Sequence, residues 1–161
     1  MPLDIRPATL HDVPLILDLI RGLAEYERML DQVQATEARL RASLFPADGR
    51  VPEAYCVIGA VDGVPAGFAL YFFNYSTFLA RPGLYLEDLF VKPEYRGAGL
   101  GKALLLHLAA LARTRECGRM EWAVLDWNAP AIGFYEALGA RRMLDWQICR
   151  LDAAGLERLV R

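Results

Sequence analysis

A predicted strand, a glycine-rich loop and a predicted helix follow one another between residues 84 and 115, and they constrain the fold more than any other part of the sequence. The strand covers residues 84–91, Pro93 ends it, and the loop Arg96-Gly-Ala-Gly-Leu-Gly101 leads into a helix at 102–115. Glycines allow a backbone to approach a ligand closely, and the N–H groups at a helix start attract anions. The sequence therefore predicts a phosphate-binding loop, the alternative being a glycine-rich turn without a ligand.

The spacing of the glycines excludes the two commonest nucleotide-binding loops. A dinucleotide-binding loop of the form G-x-G-x-x-G that starts at Gly97 and Gly99 requires glycine at position 102, which is lysine. A P-loop that ends in Gly101-Lys102 requires glycine at 96 and Ser or Thr at 103, where the chain has arginine and alanine. Both of these nucleotide-binding patterns therefore fail at specific positions.

The rest of the chain predicts a mixed sheet with helices. Asp62-Gly63 is a hairpin signal between two strands, and Thr36 and Asn128 are helix N-caps. The predicted elements are strands at 3–8, 55–61, 66–75, 84–91, 120–125 and 141–151, a long first helix after Thr9, and helices at 36–44, 102–115 and 128–139, with a short C-terminal helix. The order β-α-α-β-β-β-α-β-α-β predicts a protein of the α/β class (α+β, with a mixed sheet). We expect a central twisted sheet with helices on both faces, and one domain over residues 1–161.

Composition narrows the class of protein. The chain has 161 residues, 24% of them charged, and a net charge of −2, so it lacks the basic surplus typical of proteins that bind nucleic acid or anionic membranes. It contains neither an apolar run long enough to span a membrane nor an apolar signal core at its start, which predicts a cytoplasmic protein. Three cysteines and two histidines show no metal-binding spacing, so we expect buried reduced thiols and no metal.

Four stretches together resemble the GNAT acetyltransferases. The loop has the pattern Arg-x-x-Gly-x-Gly after a strand, and Arg6-Pro-Ala resembles the first strand of that superfamily. Tyr85-Leu-Glu-Asp-Leu-Phe-Val91 lies where its central strand is expected, and Trp127-Asn-Ala-Pro-Ala-Ile-Gly-Phe-Tyr-Glu-Ala-Leu-Gly139 resembles its later helix. Their order and spacing match over most of the chain.

The resemblance implies acetyl-CoA as co-substrate. The backbone of Leu89, Phe90 and Val91 is expected to pair with the pantetheine arm like an added strand. Asn128 is expected near the thiol end and Tyr135 beside the sulfur. The pyrophosphate is expected on the loop and helix start formed by Arg96, Gly97, Ala98, Gly99, Leu100, Gly101 and Lys102.

Acetyl transfer to an amine needs two proton transfers. A primary amine with a pKa of about 10.4 is almost wholly protonated at neutral pH. A carboxylate is therefore required to deprotonate it, directly or through water. A second group must protonate the leaving thiolate, and tyrosine has a suitable pKa. Glu87 and Asp88 are adjacent acids in an apolar strand and face opposite sides of it unless a bulge intervenes; each is alternatively a solvent-exposed acid or the partner of an arginine.

Within the superfamily, the sequence resembles the spermidine/spermine-type diamine acetyltransferases and their thialysine-acetylating relatives. The residues that carry this resemblance are Ala24-Glu-Tyr-Glu27, Asp31-Gln-Val33, Tyr85-Leu-Glu-Asp88, Trp127-Asn-x-Pro130 and Phe134-Tyr135. It implies that Tyr26, Glu27, Asp88 and Trp146 bind a cationic amine, that Glu87 is the base acting through water, and that Tyr135 is the general acid.

The expected function is therefore acetyl transfer from acetyl-CoA to a primary amine of a small cationic substrate, namely a diamine, a polyamine or a thialysine-like compound. Two alternatives stay open: a protein or peptide N-acetyltransferase, and a non-catalytic acyl-CoA-binding module. The resemblance also implies a homodimer. No feature of the sequence calls for a nucleic-acid or membrane partner.

Overall fold

A computed structural model describes all residues from 1 to 161 and contains one five-stranded sheet and five α-helices. In chain order the elements are β1 (Leu3–Pro7), α1 (Val13–Tyr26), α2 (Glu37–Leu44), β2 (Tyr55–Val61), β3 (Val64–Ser76), β4 (Arg81–Val91), α3 (Leu100–Thr114), β5 (Arg119–Glu121), α4 (Ala129–Ala137) and α5 (Ala153–Leu159). Residues Met1–Ala123 and Val124–Arg161 form two compact units, the first holding the sheet with α1 to α3 and the second α4 and α5. That all 161 residues act as one domain stays a prediction.

The sheet is mixed, as predicted. Its strand order is β1-β2-β3-β4-β5, with antiparallel pairs from β1 to β4 and a parallel pair between β4 and β5. The turn between β2 and β3 consists of Asp62 and Gly63, both with positive φ (51° and 78°), which is the geometry that a two-residue hairpin favours. The Asp-Gly signal for a hairpin is thus confirmed.

Helices cover both faces of this sheet. Ile16 and Leu19 of α1 are buried in one cluster with Phe68 and Phe90 of the sheet. Gly67, which neighbours Phe68 and so faces the other way, lies against Leu100 of α3: a Cβ added there would be 3.3 Å from the Leu100 side chain. Because neighbouring strand residues face opposite sides, α1 and α3 lie on opposite faces.

The junction between β1 and α1 is held by a charged pair. Both terminal nitrogens of the Arg6 guanidinium donate to Asp12, at 2.7 and 2.8 Å, and the Thr9 backbone N–H donates to the same carboxylate at 2.7 Å. Asp12 is buried, and its pKa is lowered to about 2, first because of the hydrogen bond from Arg6. This pairing satisfies a buried charge and fixes the chain as it enters α1.

Two predicted strands differ from the structure. The strand expected at 120–125 forms only over Arg119–Glu121, and the strand expected at 141–151 does not form, so that prediction is wrong for this structure. The physical reason is that strand propensity needs a neighbouring strand to hydrogen-bond with, and no strand pairs with residues 141–151. The expectation of buried thiols holds for Cys56 but is wrong for Cys149, which is exposed.

No helix of the chain combines the length and the apolar character needed to cross a membrane.

The remaining helical predictions are confirmed. Thr36 caps α2 by accepting a hydrogen bond from Arg39 N–H at 3.2 Å, and Asn128 caps α4 by accepting from Ala131 N–H at 3.4 Å. The short C-terminal helix is α5.

Candidate active site

The glycine loop forms an open cradle at the start of α3. Gly97 and Gly99 have φ of 85° and 86°, and a Cβ at either would meet no atom within 4 Å, so backbone conformation and not crowding requires glycine there. The first turn of α3 contains no acidic residue, and its leading N–H groups have no partner within the helix. Backbone donors, the positive helix end and the exposed Lys102 therefore fit a phosphate group.

Arg96 connects this cradle to β4 and to the end of α1. Its Nε donates to the backbone oxygen of Val91 at 3.0 Å. Its guanidinium carbon lies 5.0 Å from the ring centroid of Tyr26 and 5.6 Å from that of Phe90. The side chain thus orders the loop, while its backbone remains one of the predicted phosphate donors.

The second half of β4 has an open edge. On one side β4 pairs with β3, and on the other it pairs with β5 only over Gly83, Leu84 and Tyr85. No strand pairs with that side at Leu89, Phe90 and Val91, so an extended chain with amide groups can hydrogen-bond there. These are the residues at which the resemblance to the GNAT acetyltransferases implies that a pantetheine arm pairs, and that role stays a prediction.

A bulge separates Glu87 from its neighbours on β4. Leu70 of β3 pairs with Asp88, and the next residue, Tyr71, pairs with Leu86, so Glu87 is the extra residue. Cross-strand partners share a face of the sheet, which places Asp88 on the α1 face with Phe90, whereas Leu86 faces α3. The sequence analysis expects Glu87 and Asp88 on opposite sides of the strand unless a bulge intervenes. The structure has that bulge, so the two acids do not simply alternate.

Three carboxylates are coupled electrostatically around this bulge. The pKa of Asp88 is raised to about 7, first by burial and then by the charges of Glu87 and Glu27. Glu27 follows α1 directly, and burial raises its pKa. Glu87 itself is exposed. The structure therefore brings the three predicted acids together as a partly desolvated acidic group at the end of α1, called the acidic cluster below.

Aromatic rings lie near the acidic cluster. Tyr85 pairs with Phe72 across the strands, with ring centroids 5.1 Å apart, and Glu87 is one of the groups that raise its pKa, after burial. Because the bulge reverses the alternation, Tyr85 and Asp88 share a face. Sequence reasoning assigned no role to Tyr85, although an aromatic residue two positions before Glu87 was a visible signal.

The remaining predicted residues belong to the second compact unit. Asn128 is buried at the start of α4, and Tyr135 is partly buried within α4, its ring 5.4 Å from that of Phe134. Trp146 is 78% exposed and lies outside any helix or strand. The roles of Tyr135, Asn128 and Trp146 toward the co-substrate and the amine stay predictions.

An anion cradle at a helix start and an open edge on the preceding strand are features suited to a phosphate-bearing ligand with an extended, amide-containing arm. Comparison with known proteins gives the family: residues 20–140 match the model of the acetyltransferase (GNAT) family. The chain belongs to this family and is an acetyl-CoA-dependent N-acetyltransferase, with acetyl-CoA as co-substrate.

Relatives of known activity cover nearly the whole chain. The thialysine N-epsilon-acetyltransferase of Bos taurus is 39% identical over 96% of this chain and 95% of its own length. The L-ornithine N5-acetyltransferase NATA1 of Arabidopsis thaliana is 34% identical over 95% of this chain and 86% of its own. Among solved structures, an integron cassette protein from the mobile metagenome of V. cholerae has a TM-score of 0.78 at 26% identity, covering 99% of this chain and 98% of its own.

Proposed function

We propose that this acetyltransferase acts on a primary amine of a small cationic substrate, in the class of diamines, polyamines and thialysine-like amino acids. The acidic cluster of Glu27, Glu87 and Asp88 is the observation that carries the proposal, because three coupled carboxylates favour a cationic ligand. Relatives named for thialysine and ornithine, which are amines that carry a second ionisable group, agree with that class.

The surroundings of Asp88 in the acidic cluster disfavour its ionised form. Asp88 has a pKa near 7 because it is partly buried and faces two like charges. A bound ammonium group offsets that repulsion and favours ionised Asp88, so the free energy released by pairing contributes to substrate binding. The Tyr85 ring lies near Glu87 and offers a face on which a cation can rest, whereas the Tyr26 ring already contacts the Arg96 guanidinium.

The reaction requires a neutral amine at the acetyl carbon. Acetyl-CoA supplies the thioester that the amine attacks. In our proposal Glu87, exposed at the bulge, takes the amine proton through a water molecule, while Asp88 and Glu27 hold the cationic part of the substrate. Leu89, Phe90 and Val91 hold the pantetheine arm, and residues 96–102 hold the pyrophosphate.

Tyr135 is proposed to give its phenolic proton to the departing sulfur. Replacing it with phenylalanine removes only the hydroxyl, so turnover is expected to fall at least about a hundredfold while acetyl-CoA affinity changes little. Isothermal titration with acetyl-CoA beside steady-state kinetics separates the two effects. Unchanged turnover in Tyr135→Phe would remove the residue from the mechanism.

The substrate class is tested by following free thiol release from acetyl-CoA with a panel of amines. The panel contains diamines, polyamines, thialysine, lysine, ornithine, aminoglycosides and a basic peptide. Turnover confined to small cationic amines supports the proposal. Turnover on the peptide alone would identify a protein acetyltransferase, and tight acetyl-CoA binding without turnover on any amine would identify a binding module.

The roles of Glu87 and Asp88 are distinguished by whether replacing each residue changes kcat or KM. Glu87→Gln is expected to lower kcat by about a hundredfold, because it removes the base. Asp88→Asn is expected to raise the amine KM about tenfold and to abolish the fall in KM as pH rises through about 7, where Asp88 ionises. The opposite split would assign the base to Asp88.

The expected homodimer and cytoplasmic location are also proposals. Light scattering on the purified protein tests the homodimer: twice the 18.0 kDa mass of one chain supports it, and the mass of a single chain contradicts it. Cell fractionation of the source organism with an antibody against the chain tests the location, and recovery in an exported or membrane fraction would contradict it.

A further inference from the structure

The side chain of Arg96 lies between the glycine loop and the end of α1. Its guanidinium carbon is 5.0 Å from the ring centroid of Tyr26, the last residue of α1, and 5.6 Å from that of Phe90 on β4. Its Nε donates to the backbone oxygen of Val91 at 3.0 Å. One side chain therefore connects the helix end, the strand and the loop that it begins.

The last turns of α1 also pack closely on the Phe90 ring. A Cβ added at Gly22 would lie 2.8 Å from a carbon of that ring, which is closer than carbon atoms pack, so a larger residue there would displace the ring. Gly22 and Tyr26 are four residues apart and therefore lie on the same face of α1. This face, the Phe90 ring and the Arg96 guanidinium form one set of contacts, called the α1–loop contact below.

The α1–loop contact is directly followed in the chain by Glu27 of the acidic cluster. The N–H of Glu27 donates to the backbone oxygen of Leu23 at 2.9 Å. The next residue, Arg28, has a φ of 61°, which is unfavourable for a residue other than glycine. The position of Glu27 therefore depends on a tight turn that begins at Tyr26, the residue that Arg96 contacts.

We propose that Arg96 is a positioning residue: acetyl-CoA binding at residues 96–102 holds its side chain against Tyr26 and thereby orders the turn that carries Glu27. Arg96 and Tyr26 are both exposed, the latter by 40%, so their contact is of the weaker, solvent-exposed kind that a bound ligand can strengthen. A ligand that orders a segment lowers the cost of ordering it for a second ligand. An amine at the acidic cluster therefore binds more tightly beside the co-substrate, and this consequence alone rests on the proposed function.

The affinity of the full chain for coenzyme A, measured by isothermal titration without an amine, tests the link. Tyr26→Leu removes a ring face on α1 and is expected to weaken coenzyme A binding about two- to fivefold, the range of an exposed cation–π contact. Arg96→Lys keeps the charge but loses the planar guanidinium over both rings, so it should weaken binding at least as much. Unchanged affinity in either variant overturns the proposal, and in Arg96→Lys it would mean that the residue acts only as a charge.

A double variant tests whether Tyr26 acts through Arg96. If it does, Tyr26→Leu combined with Arg96→Lys should bind coenzyme A as Arg96→Lys does alone. Losses that simply multiply would mean that the two residues act separately, against the proposal.

Tyr75→Leu is the matched control, because Tyr75 is an exposed tyrosine of β3 outside the α1–loop contact. It should leave coenzyme A affinity unchanged, and a loss equal to that of Tyr26→Leu would contradict the proposal. Circular dichroism and the melting temperature verify that each variant is folded.

Hydrogen exchange measures the ordering of the turn itself. Saturating coenzyme A is expected to slow exchange of the amides of residues 24–29 in the wild type and to have little effect on them in Arg96→Lys. A role of Arg96 in folding alone would not produce this difference. Unchanged exchange of these amides in the saturated wild type contradicts the proposal.

The consequence for the amine is measured with thialysine as the probe. Its affinity is expected to be about two- to fivefold higher with saturating coenzyme A than without it in the wild type, and equal under both conditions in Arg96→Lys. Equal affinities in the wild type contradict the link. Thialysine binding that Glu27→Gln does not weaken contradicts the proposed amine site instead, and the coenzyme A measurements still decide the link.

Discussion

Asp88 is partly buried and faces Glu87 and Glu27, and these surroundings raise its pKa from 3.8 to about 7. The native protein therefore binds a proton at this carboxyl more tightly than the unfolded chain does. The contribution of Asp88 to stability is fully present below about pH 4 and is lost as pH rises through about 7. A residue useful for binding a cation thus weakens the fold at neutral pH.

Asp88→Asn is expected to stabilise the protein at pH 8, on the order of 2 kcal/mol after allowance for partial exposure, while weakening amine binding. Urea unfolding at pH 8 and at pH 4 measures the change in the free energy of unfolding. The gain should disappear at pH 4, where the wild-type carboxyl is protonated in the folded protein. Asp18→Asn is the matched control, because Asp18 lies exposed on α1 and its replacement should leave stability unchanged. A destabilised Asp88→Asn would show that the native site favours the carboxylate.

Asp12 has the opposite effect on how the stability of the protein depends on pH. Hydrogen bonds from Arg6 and Thr9 lower its pKa from 3.8 to about 2, so its stabilising contribution is present above about pH 4 and is lost as pH falls toward 2. Asp12→Asn is expected to destabilise the protein by about 2 kcal/mol at pH 7 and by much less near pH 2. Urea unfolding at neutral pH, with thermal unfolding at acidic pH, checks both values. An equal loss at both pH values would mean that packing, and not charge, explains the effect.

The strand-loop-helix unit is the element on which co-substrate binding depends. Gly99 immediately precedes α3 with a φ of 86°, so an alanine there carries the left-handed strain of roughly 1–2 kcal/mol. Its Cβ would point into open space, where the phosphate is expected. Gly99→Ala should therefore lower both the melting temperature and the affinity for acetyl-CoA.

Gly101→Ala is the comparison for that change. Gly101 lies in α3 without a positive φ, and a Cβ there would be an ordinary 3.8 Å from the Val91 side chain. Because alanine favours a helix more than glycine does, the melting temperature of Gly101→Ala should stay the same or rise. Differential scanning calorimetry of both variants measures the contrast. Equal melting temperatures for the two variants would show that the conformation of Gly99 is not strained.

The elements also show where sequence reasoning succeeds and where it stops. The Asp62-Gly63 hairpin, the caps at Thr36 and Asn128 and the helix after the glycine loop were predictable, because each depends on residues within a few positions. The bulge at Glu87 was not, because it depends on the register between β4 and β3. For the same reason the sequence showed Glu87 and Asp88 as candidates but could not tell which face each would occupy.

At the scale of the whole molecule, the missing strand at 141–151 has a different cause. The sequence composition favours a strand there, but a strand exists only beside another strand, and none pairs with residues 141–151 in the structure. Leu144, Trp146 and Ile148 are exposed as a result.

The pH dependence of the whole molecule combines the two aspartates. Stability rises between about pH 2 and 4 as Asp12 ionises in the folded protein, and it falls between about pH 4 and 7 because unfolded, but not folded, Asp88 is ionised. These two groups therefore place a stability maximum near pH 4, below the range of about 5–8 that is usual for proteins. The measurement is the melting temperature across this range at a fixed protein concentration, since any self-association makes it concentration-dependent.

Variants test which aspartate causes the loss of stability below pH 4 and which causes the loss above it. In Asp88→Asn the decline between pH 4 and 7 should be much reduced, whereas in Asp12→Asn the acidic decline should be much reduced and the neutral one unchanged. The double variant should show a nearly flat profile if the two sites act independently. A maximum that stays at the same pH in all three variants would mean that other groups control the stability of the protein.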